Sequence, residues 1–326
     1  MVSNHARKLA HSREQRLGGG SRREAAARLR AATFIPTGLT GLDRRLGGGL
    51  RRRELTVLAA RTGMGKSMLA LAFARHAAIR LRRVALVASL EMSHFELGCR
   101  VLAAESGVPT EKLQRASFDD TEQATVARTA SALQSAPLHF GGDTASPGLA
   151  DIQALHARYA RRGAKADLLV VDYLGLMDTF GSTTRERGVA AILDGLSHLA
   201  EEENLAVVVV EQLDRALLQR DDRRPRPTDM VHAEQIMLRA GTTIFLHRPA
   251  FFAPRHRQGR YERSPDPKLY PEHLFPRLGL PEPTRQPAQI YVSRHRDRRS
   301  RAVEVEVDLS RSQFSDPPAD KASAGR

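Results

Sequence analysis

An apolar run, a glycine-containing turn and a helix-forming stretch follow one another over residues 55–78. The turn, ARTGMGKS at residues 60–67, matches the phosphate-loop pattern G-x-x-x-x-G-K-[ST] except at its first position, where Ala60 replaces glycine. In such a turn, backbone N–H groups and the positive end of the helix dipole face a phosphate. No other feature constrains the fold as much, because a strand, turn and helix of this kind belong to a mostly parallel sheet covered by helices.

The turn predicts a site for a nucleoside triphosphate and Mg²⁺. Backbone N–H groups over residues 63–66 would wrap the β-phosphate, Lys66 would bridge the β- and γ-phosphates, and the Ser67 hydroxyl would hold Mg²⁺. Ala60 ends the strand, where a methyl group fits if the backbone dihedral angles are ordinary. The predicted nucleotide-binding residues are Arg61, Thr62, Gly63, Met64, Gly65, Lys66 and Ser67.

Three further apolar runs end in polar residues suited to nucleotide chemistry. Glu91 follows the run at 84–89 and can orient and deprotonate the water that attacks the γ-phosphate. Asp172 ends the run at 168–172 and is suited to hold Mg²⁺ through its water shell. Gln212 follows the run at 206–210 and is an uncharged donor able to sense the γ-phosphate. Since these positions come at strand ends, we expect them to meet the phosphate loop at one edge of the sheet.

The chain is predicted to contain one α/β domain at residues 34–310. Strand-like runs at 55–60, 84–89, 168–172, 206–210, 243–246 and 289–293 alternate with helical stretches such as 67–81 and 189–203. Residues 1–33 read as a basic, disordered tail ending in a short helix, 249–287 as a Pro- and Arg-rich insertion, and 311–326 as a disordered tail.

The net charge of +14 is confined to two segments. Residues 1–33 carry eight Lys and Arg against two acids, and residues 248–301 carry thirteen against five. Contact with a polyanion is one interpretation, and a solvated basic tail is the other. We expect a cytoplasmic protein without membrane spans, because no run of eighteen apolar residues occurs and Cys99 is the single cysteine.

Five segments together resemble the C-terminal RecA-like motor domain of DnaB-type replicative DNA helicases. They read IPTGLTGLDRRLGGGL, ARTGMGKS, SLEM, VDYLGLM and EQLDRALLQRDDRRP, and they follow the family's order and spacing over roughly residues 34–310. The family typically has alanine at the first phosphate-loop position, as here. The resemblance implies a RecA-like α/β fold, with phosphate contact by Lys66, Mg²⁺ at Ser67 and Asp172, the catalytic base at Glu91 and γ-phosphate sensing by Gln212.

The resemblance also implies an arginine pair that acts on a neighbouring subunit. The family has a Lys-x-Arg pair that reaches into the neighbour's ATP site, and Arg294 and Arg296 stand at those places. Their spacing puts both on one side of an extended segment, and guanidinium groups suit a developing phosphoryl charge. A homo-oligomeric ring, most simply a hexamer, is then expected.

The implied function is ATP-dependent 5′ to 3′ movement on single-stranded DNA in replication, at the nucleoid and alongside other replication proteins. Two departures from the family stand out. The 33 residues before the match cannot supply the family's N-terminal helical domain, which meets primase. The DNA-facing loop at 228–241 keeps Asp229, Ile236 and Ala240 but lacks the Arg-Glu-Ser-Gly core. Basic residues are predicted to substitute in part for the lost DNA contacts, among them Arg223, Arg224 and Arg226.

Two alternatives remain open on the sequence. One is another RecA-like ATPase of the RadA or KaiC kind, which shares the TGLTGLDRRLGGGL segment. The other is a DNA-binding or regulatory partner that assembles with a full-length helicase, contributes Arg294 and Arg296 to its neighbour, and does not unwind DNA itself.

Overall fold

The computed structural model describes residues 22–142, 147–179, 181–252, 285–294 and 302–318. The chain divides into two compact units, Met1–Phe34 and Ile35–Arg326. In the first unit, helix α1 (Arg22–Thr33) has the acidic Glu24 in its first turn and Arg30 in its last turn, charges that interact favourably with the helix dipole. It corresponds to the short helix predicted at the end of the basic tail, whereas residues 1–21 lie outside the described residues.

The second unit is built on a nine-stranded sheet. Strands β1 (Phe34–Ile35) and β2 (Leu50–Arg51) form a separate two-stranded sheet. The parallel strands of the large sheet are β3 (Glu54–Ala60), β4 (Ala85–Ser89), β5 (Leu138–Gly141), β6 (Leu168–Asp172), β7 (Ala206–Gln212) and β8 (Thr242–His247). Strands β9 (Arg285–Arg294), β10 (Val303–Asp308) and β11 (Gln313–Ser315) continue it in antiparallel fashion. The order is β11-β10-β9-β8-β3-β7-β6-β4-β5.

Helices of the second unit lie between its strands along the chain. They are α2 (Thr40–Leu46), α3 (Lys66–Arg75), α4 (His94–Ser106), α5 (Thr110–Arg115), α6 (Asp120–Leu133), α7 (Leu149–Arg161), α8 (Arg185–Glu203) and α9 (Ala233–Arg239). Capping boxes at Ser93 and Asp119 and a side-chain cap at Thr184 begin three of them. Short 3₁₀ turns at Leu174–Leu176, Arg215–Gln219, Pro227–Asp229 and Pro249–Phe252 carry loop residues at the edge of the sheet.

The core lies on the central strands. Strands β4 and β6 are buried along their whole length, and β7 is buried up to Glu211, as expected of parallel strands covered on both faces. The predicted parallel α/β sheet is therefore confirmed. No helix of the described residues is long and apolar enough to cross a membrane.

The structure corrects two predicted boundaries. The insertion predicted at 249–287 begins with a 3₁₀ turn, and β9 already starts at Arg285, so only residues 253–284 lie outside the described part. The disordered tail predicted from residue 311 is wrong for Gln313–Ser315, because β11 forms there and pairs with β10. This strand is only three residues long, too short for an alternating pattern to be recognised.

Candidate nucleotide site

The predicted phosphate loop joins the carboxyl end of β3 to the first residue of α3. Gly63 and Gly65 have φ angles of 82° and 97°, in the left-handed region that glycine adopts without steric cost. Ala60 is instead the last residue of β3, buried and paired with Gln212 of β7. An alanine fits at this position because the backbone is an ordinary strand, as the sequence predicted.

Two side-chain hydrogen bonds fix the loop to the neighbouring end of β7. The Arg61 guanidinium donates to the carbonyl oxygen of Leu213 over 2.6 Å. The Gln212 side-chain amide donates to the Thr62 hydroxyl. The loop and the end of β7 therefore form one connected structure, and Gln212 lies beside the predicted phosphate loop.

Lys66 and Glu91 face each other across the site. Lys66 begins α3 and is buried, with its Nζ atom 3.4 Å from Oε2 of Glu91 and 4.7 Å from the ring centre of Tyr173. The Glu91 side chain is 47% exposed, so its carboxylate lies at the solvent-facing side of the pair. A carboxylate in this position is accessible to water and adjacent to a cation suited to phosphate.

Asp172 is held beside the SLEM segment by the sheet. It is the register partner of Ser89 at the end of β4, and its carbonyl oxygen accepts a hydrogen bond from the Leu90 N–H over 2.7 Å. Burial raises the pKa of its carboxyl group, while the Lys66 charge and the Ser67 hydroxyl act in the opposite direction. Within the described residues, Oδ1 of Asp172 is buried without a hydrogen-bond partner. An orphaned carboxylate oxygen next to Ser67 fits the oxygen ligands that Mg²⁺ prefers.

Glu211 is a site residue that the sequence analysis missed. Its side chain is almost completely buried, and Oε1 accepts the backbone N–H of Gln212 over 2.6 Å. Burial raises its pKa to about 7, although the charges of Arg185 and Lys66 act to lower it. An acidic residue inside an otherwise apolar strand, VVVVEQ, is the sequence signal that could have revealed it.

Arg294 lies at the opposite end of the strands from the phosphate loop, where the parallel strand β8 begins. It is paired with Thr242, the first residue of β8, and Thr242 is in turn level with Thr56 of β3. The distance along β3 from Thr56 to the loop at Ala60 is roughly 13 Å. The Arg294 guanidinium donates to the carbonyl oxygen of Leu46 at the end of α2 over 2.6 Å. The structure therefore does not bring Arg294 to the phosphate loop of its own chain. Arg296 lies outside the described residues.

The three arginines predicted to contact DNA follow β7 in a segment with its own ion pairs. Arg224 and Arg226 lie 3.6 Å and 3.9 Å from the carboxylate of Asp222, and both side chains are more than half exposed. The Arg223 guanidinium lies 5.5 Å from the ring centre of Phe252. Arg224 and Arg226 are thus accessible from solvent and paired only at the surface.

Comparison with known families matches residues 34–316 to the DnaB-like helicase C-terminal domain. The chain belongs to the DnaB-like helicase C-terminal domain family. Among curated DnaB-like relatives, the replicative DNA helicase DnaB of Leifsonia xyli is 32% identical over 87% of this chain and 56% of its own length. The Geobacillus stearothermophilus protein of the same name is 31% identical over 68% of this chain and 48% of its own length. The chain thus spans about half the length of these relatives.

Solved structures show the DnaB-like, RecA-like fold at lower identity. One of them, an ATPase domain, has a TM-score of 0.72 at 20% identity and covers 96% of this chain and 98% of its own. A DnaB-like replicative helicase whose interactions with primase were determined has a TM-score of 0.71 at 21% identity, over 92% of this chain and 67% of its own. These values support the predicted RecA-like ATPase fold, with a mostly parallel sheet flanked by helices.

Proposed function

We propose that this chain is the ATP-hydrolysing motor of a DnaB-like helicase and moves on single-stranded DNA during replication. The observation that carries the proposal is the convergence of Lys66, Glu91, Asp172 and Gln212 at one phosphate loop. Family membership supports it further, since the curated relatives are replicative DNA helicases.

Each residue has a role that follows from its position. The loop N–H groups and Lys66 bind the β- and γ-phosphates of ATP, and Ser67 and Asp172 hold Mg²⁺. Glu91, exposed to solvent and close to Lys66, orients and deprotonates the attacking water. When bound, Mg²⁺ would neutralise charge that develops on the phosphate oxygens.

Gln212 is suited to pass the state of the nucleotide to the DNA-facing loop. Its side chain binds Thr62 of the phosphate loop, while its carbonyl oxygen accepts the N–H of Val231 over 3.1 Å. A γ-phosphate that drew the Gln212 amide from Thr62 would therefore shift a strand end to which the DNA-facing loop is directly bonded.

We assign Arg294 and Arg296 to the ATP site of a neighbouring subunit, where they assist hydrolysis. The register of β8 and β9 supports this, because it puts Arg294 beside the first residue of β8, at the opposite end of the strands from the phosphate loop of the same chain. An arginine there can complete a site only on another subunit, so an isolated subunit would hydrolyse ATP slowly. A ring, most simply a hexamer, satisfies this requirement for every subunit. Contacts to DNA phosphates would come from the exposed Arg224 and Arg226, together with Arg223.

Strand displacement on a forked DNA substrate tests the proposal. We would compare wild type, Lys66→Ala and Glu91→Gln, and measure ATP hydrolysis with and without single-stranded DNA and the oligomer mass in parallel. We expect DNA-stimulated hydrolysis in wild type, no nucleotide binding in Lys66→Ala, and binding without turnover in Glu91→Gln. Binding of ATP without DNA stimulation or strand displacement would contradict the motor function and favour a regulatory partner.

A further inference from the structure

Arg248 is a buried cation that donates a hydrogen bond to the phosphate loop. It follows β8 directly, and only 4% of its surface is exposed. Its Nη1 atom donates to the carbonyl oxygen of Gly63 over 3.1 Å, and Nη2 donates to Oε1 of the buried Gln286 over 2.7 Å. Burying a guanidinium is unfavourable unless it is paired, so these contacts define where the side chain can lie.

The contact matters because of the conformation of Gly63. With φ at 82° and no side chain, this residue allows its following peptide plane to rotate more freely than an ordinary residue would. In a trans peptide the carbonyl oxygen and the next N–H point in opposite directions. A rotated plane would turn the Gly63 carbonyl oxygen, which carries partial negative charge, towards the phosphates. Arg248 instead binds that oxygen at a buried position, while Gly63 itself is exposed.

The turn that follows Arg248 also packs against the loop. A Cβ atom added to Gly63 would lie 3.1 Å from Cε2 of Phe251, closer than most Cβ contacts in proteins. Phe251 belongs to the same 3₁₀ turn, Pro249–Phe252, that begins one residue after Arg248. The end of β8 therefore holds Gly63 through a hydrogen bond, and the turn after it leaves little room for a side chain at this position.

We propose that Arg248 is a positioning residue for the nucleotide site, which holds the Gly63 carbonyl turned into the protein and away from the phosphates, while the Met64 N–H of the same peptide donates to the Arg61 carbonyl oxygen within the loop. Gln286 aligns the guanidinium for this contact. The inference rests on the proposed ATP site and adds a residue that touches the loop but not the nucleotide. Its effect should therefore depend on the phosphates of the ligand and not on the adenosine.

Equilibrium titration with fluorescent ADP tests the role of Arg248. We expect Arg248→Met to weaken ADP binding about tenfold or more, the effect of losing one hydrogen bond from a charged donor. Arg248→Lys should restore part of the affinity, because an ammonium group can reach one acceptor but cannot bridge two. Arg115→Met is the matched control, since Arg115 is 72% exposed on α5, and it should bind ADP like wild type. The dissociation constant of adenosine, obtained from its competition with the fluorescent ADP, should be the same in every variant.

The outcomes separate this inference from the proposed function. If folded Arg248→Met binds ADP as tightly as wild type, or loses adenosine affinity equally, the positioning role is overturned while the ATP site stands. If wild type binds no ADP, the ATP site itself is overturned. Should Arg248→Met fail to fold, Gln286→Leu and Arg248→Lys give the same test, with a loss of about threefold expected in each; unchanged affinity in both would overturn the role.

Discussion

Glu211 shows how a single buried carboxyl group can influence both stability and the site. Its folded pKa of about 7 lies above the ordinary value of 4.5, so at intermediate pH the folded chain holds a proton that the unfolded chain has released. The contribution of Glu211 to the free energy of unfolding is fully present below about pH 4.5 and is lost as the pH rises through 7. Above that pH, the folded protein carries the buried carboxylate charge of Glu211 next to Gln212, which lowers its free energy of unfolding.

Replacing Glu211 by glutamine should remove this pH dependence. We expect Glu211→Gln to unfold like wild type near pH 5 and to be more stable by roughly 3 kcal/mol at pH 8. Urea unfolding over this pH range measures the difference. A stability gap that does not change with pH would mean that Glu211 does not titrate in the folded protein.

Asp172 should show a conflict between stability and metal binding. Its buried carboxylate is unfavourable in the free protein, as its raised pKa indicates. We therefore expect Asp172→Asn to melt at the same temperature as wild type or a few degrees higher, but to lose the Mg²⁺-dependent gain in ADP affinity. Calorimetry with and without Mg²⁺ measures both effects. Unchanged Mg²⁺ dependence would exclude Asp172 as a metal ligand.

Motif residues could be predicted from the sequence, and their supporting residues could not. The positions of Asp172 and Gln212 were predictable because they end apolar strands, and that of Lys66 because it belongs to the phosphate-loop pattern. Arg248 lies next to the predicted Pro-rich insertion, and nothing in its local sequence indicates a contact with Gly63, far earlier in the chain. That contact arises from the pairing of β8 with β3, which local periodicity does not specify.

At the scale of elements, the predicted DNA-facing loop at 228–241 is bonded to the segment after β7 through a partly buried ion pair. Arg220 donates two hydrogen bonds to the Asp229 carboxylate, over 2.9 Å and 2.8 Å. Backbone bonds then join the loop to the end of β7, from Asp214 to the Asp229 carbonyl and from Val231 to Gln212. These bonds make the loop an extension of strand β7, which ends in Gln212.

Removing the Asp229 carboxylate should loosen this connection. We expect Asp229→Ala to lose about 2 kcal/mol, less than for a fully buried pair because the Arg220 side chain is 26% exposed. Amide hydrogen exchange at Asp214 and Val231 should accelerate. Asp222→Ala is the control, since its ion pairs lie at the surface and contribute little. Equal exchange in the two variants would contradict the connection.

Sequence patterns predicted the central strands but not the short ones at the edge. Strands β3, β6 and β7 were found because each contains at least four consecutive apolar residues. Strand β5, LHFG, is half-buried at the edge of the sheet and includes a histidine, so it has no continuous apolar run, and its alternation spans only Leu138 to Phe140. Its position depends on pairing with β4, which the local sequence does not encode.

At the scale of the whole molecule, mixed assemblies can test whether Arg294 acts on a neighbour. Lys66→Ala lacks its own loop function but keeps Arg294, whereas Arg294→Ala has the reverse defect. We expect each variant alone to be at least tenfold slower than wild type in ATP hydrolysis, and an equimolar mixture to regain activity, because some interfaces pair an intact loop with an intact arginine. A mixture no faster than its components would contradict action across subunits.

The separation of Arg294 from its own phosphate loop also determines how many complete sites an assembly of a given size can contain. If subunits join head to tail through these two regions, an open row always has one loop without an arginine and one arginine without a loop. A pair of subunits then has a single competent site, and only closure gives every member one. Turnover per subunit should therefore climb with the length of an open row and reach its ceiling upon closure, so that, for a known number of subunits, the catalytic rate reports whether the assembly is open or closed.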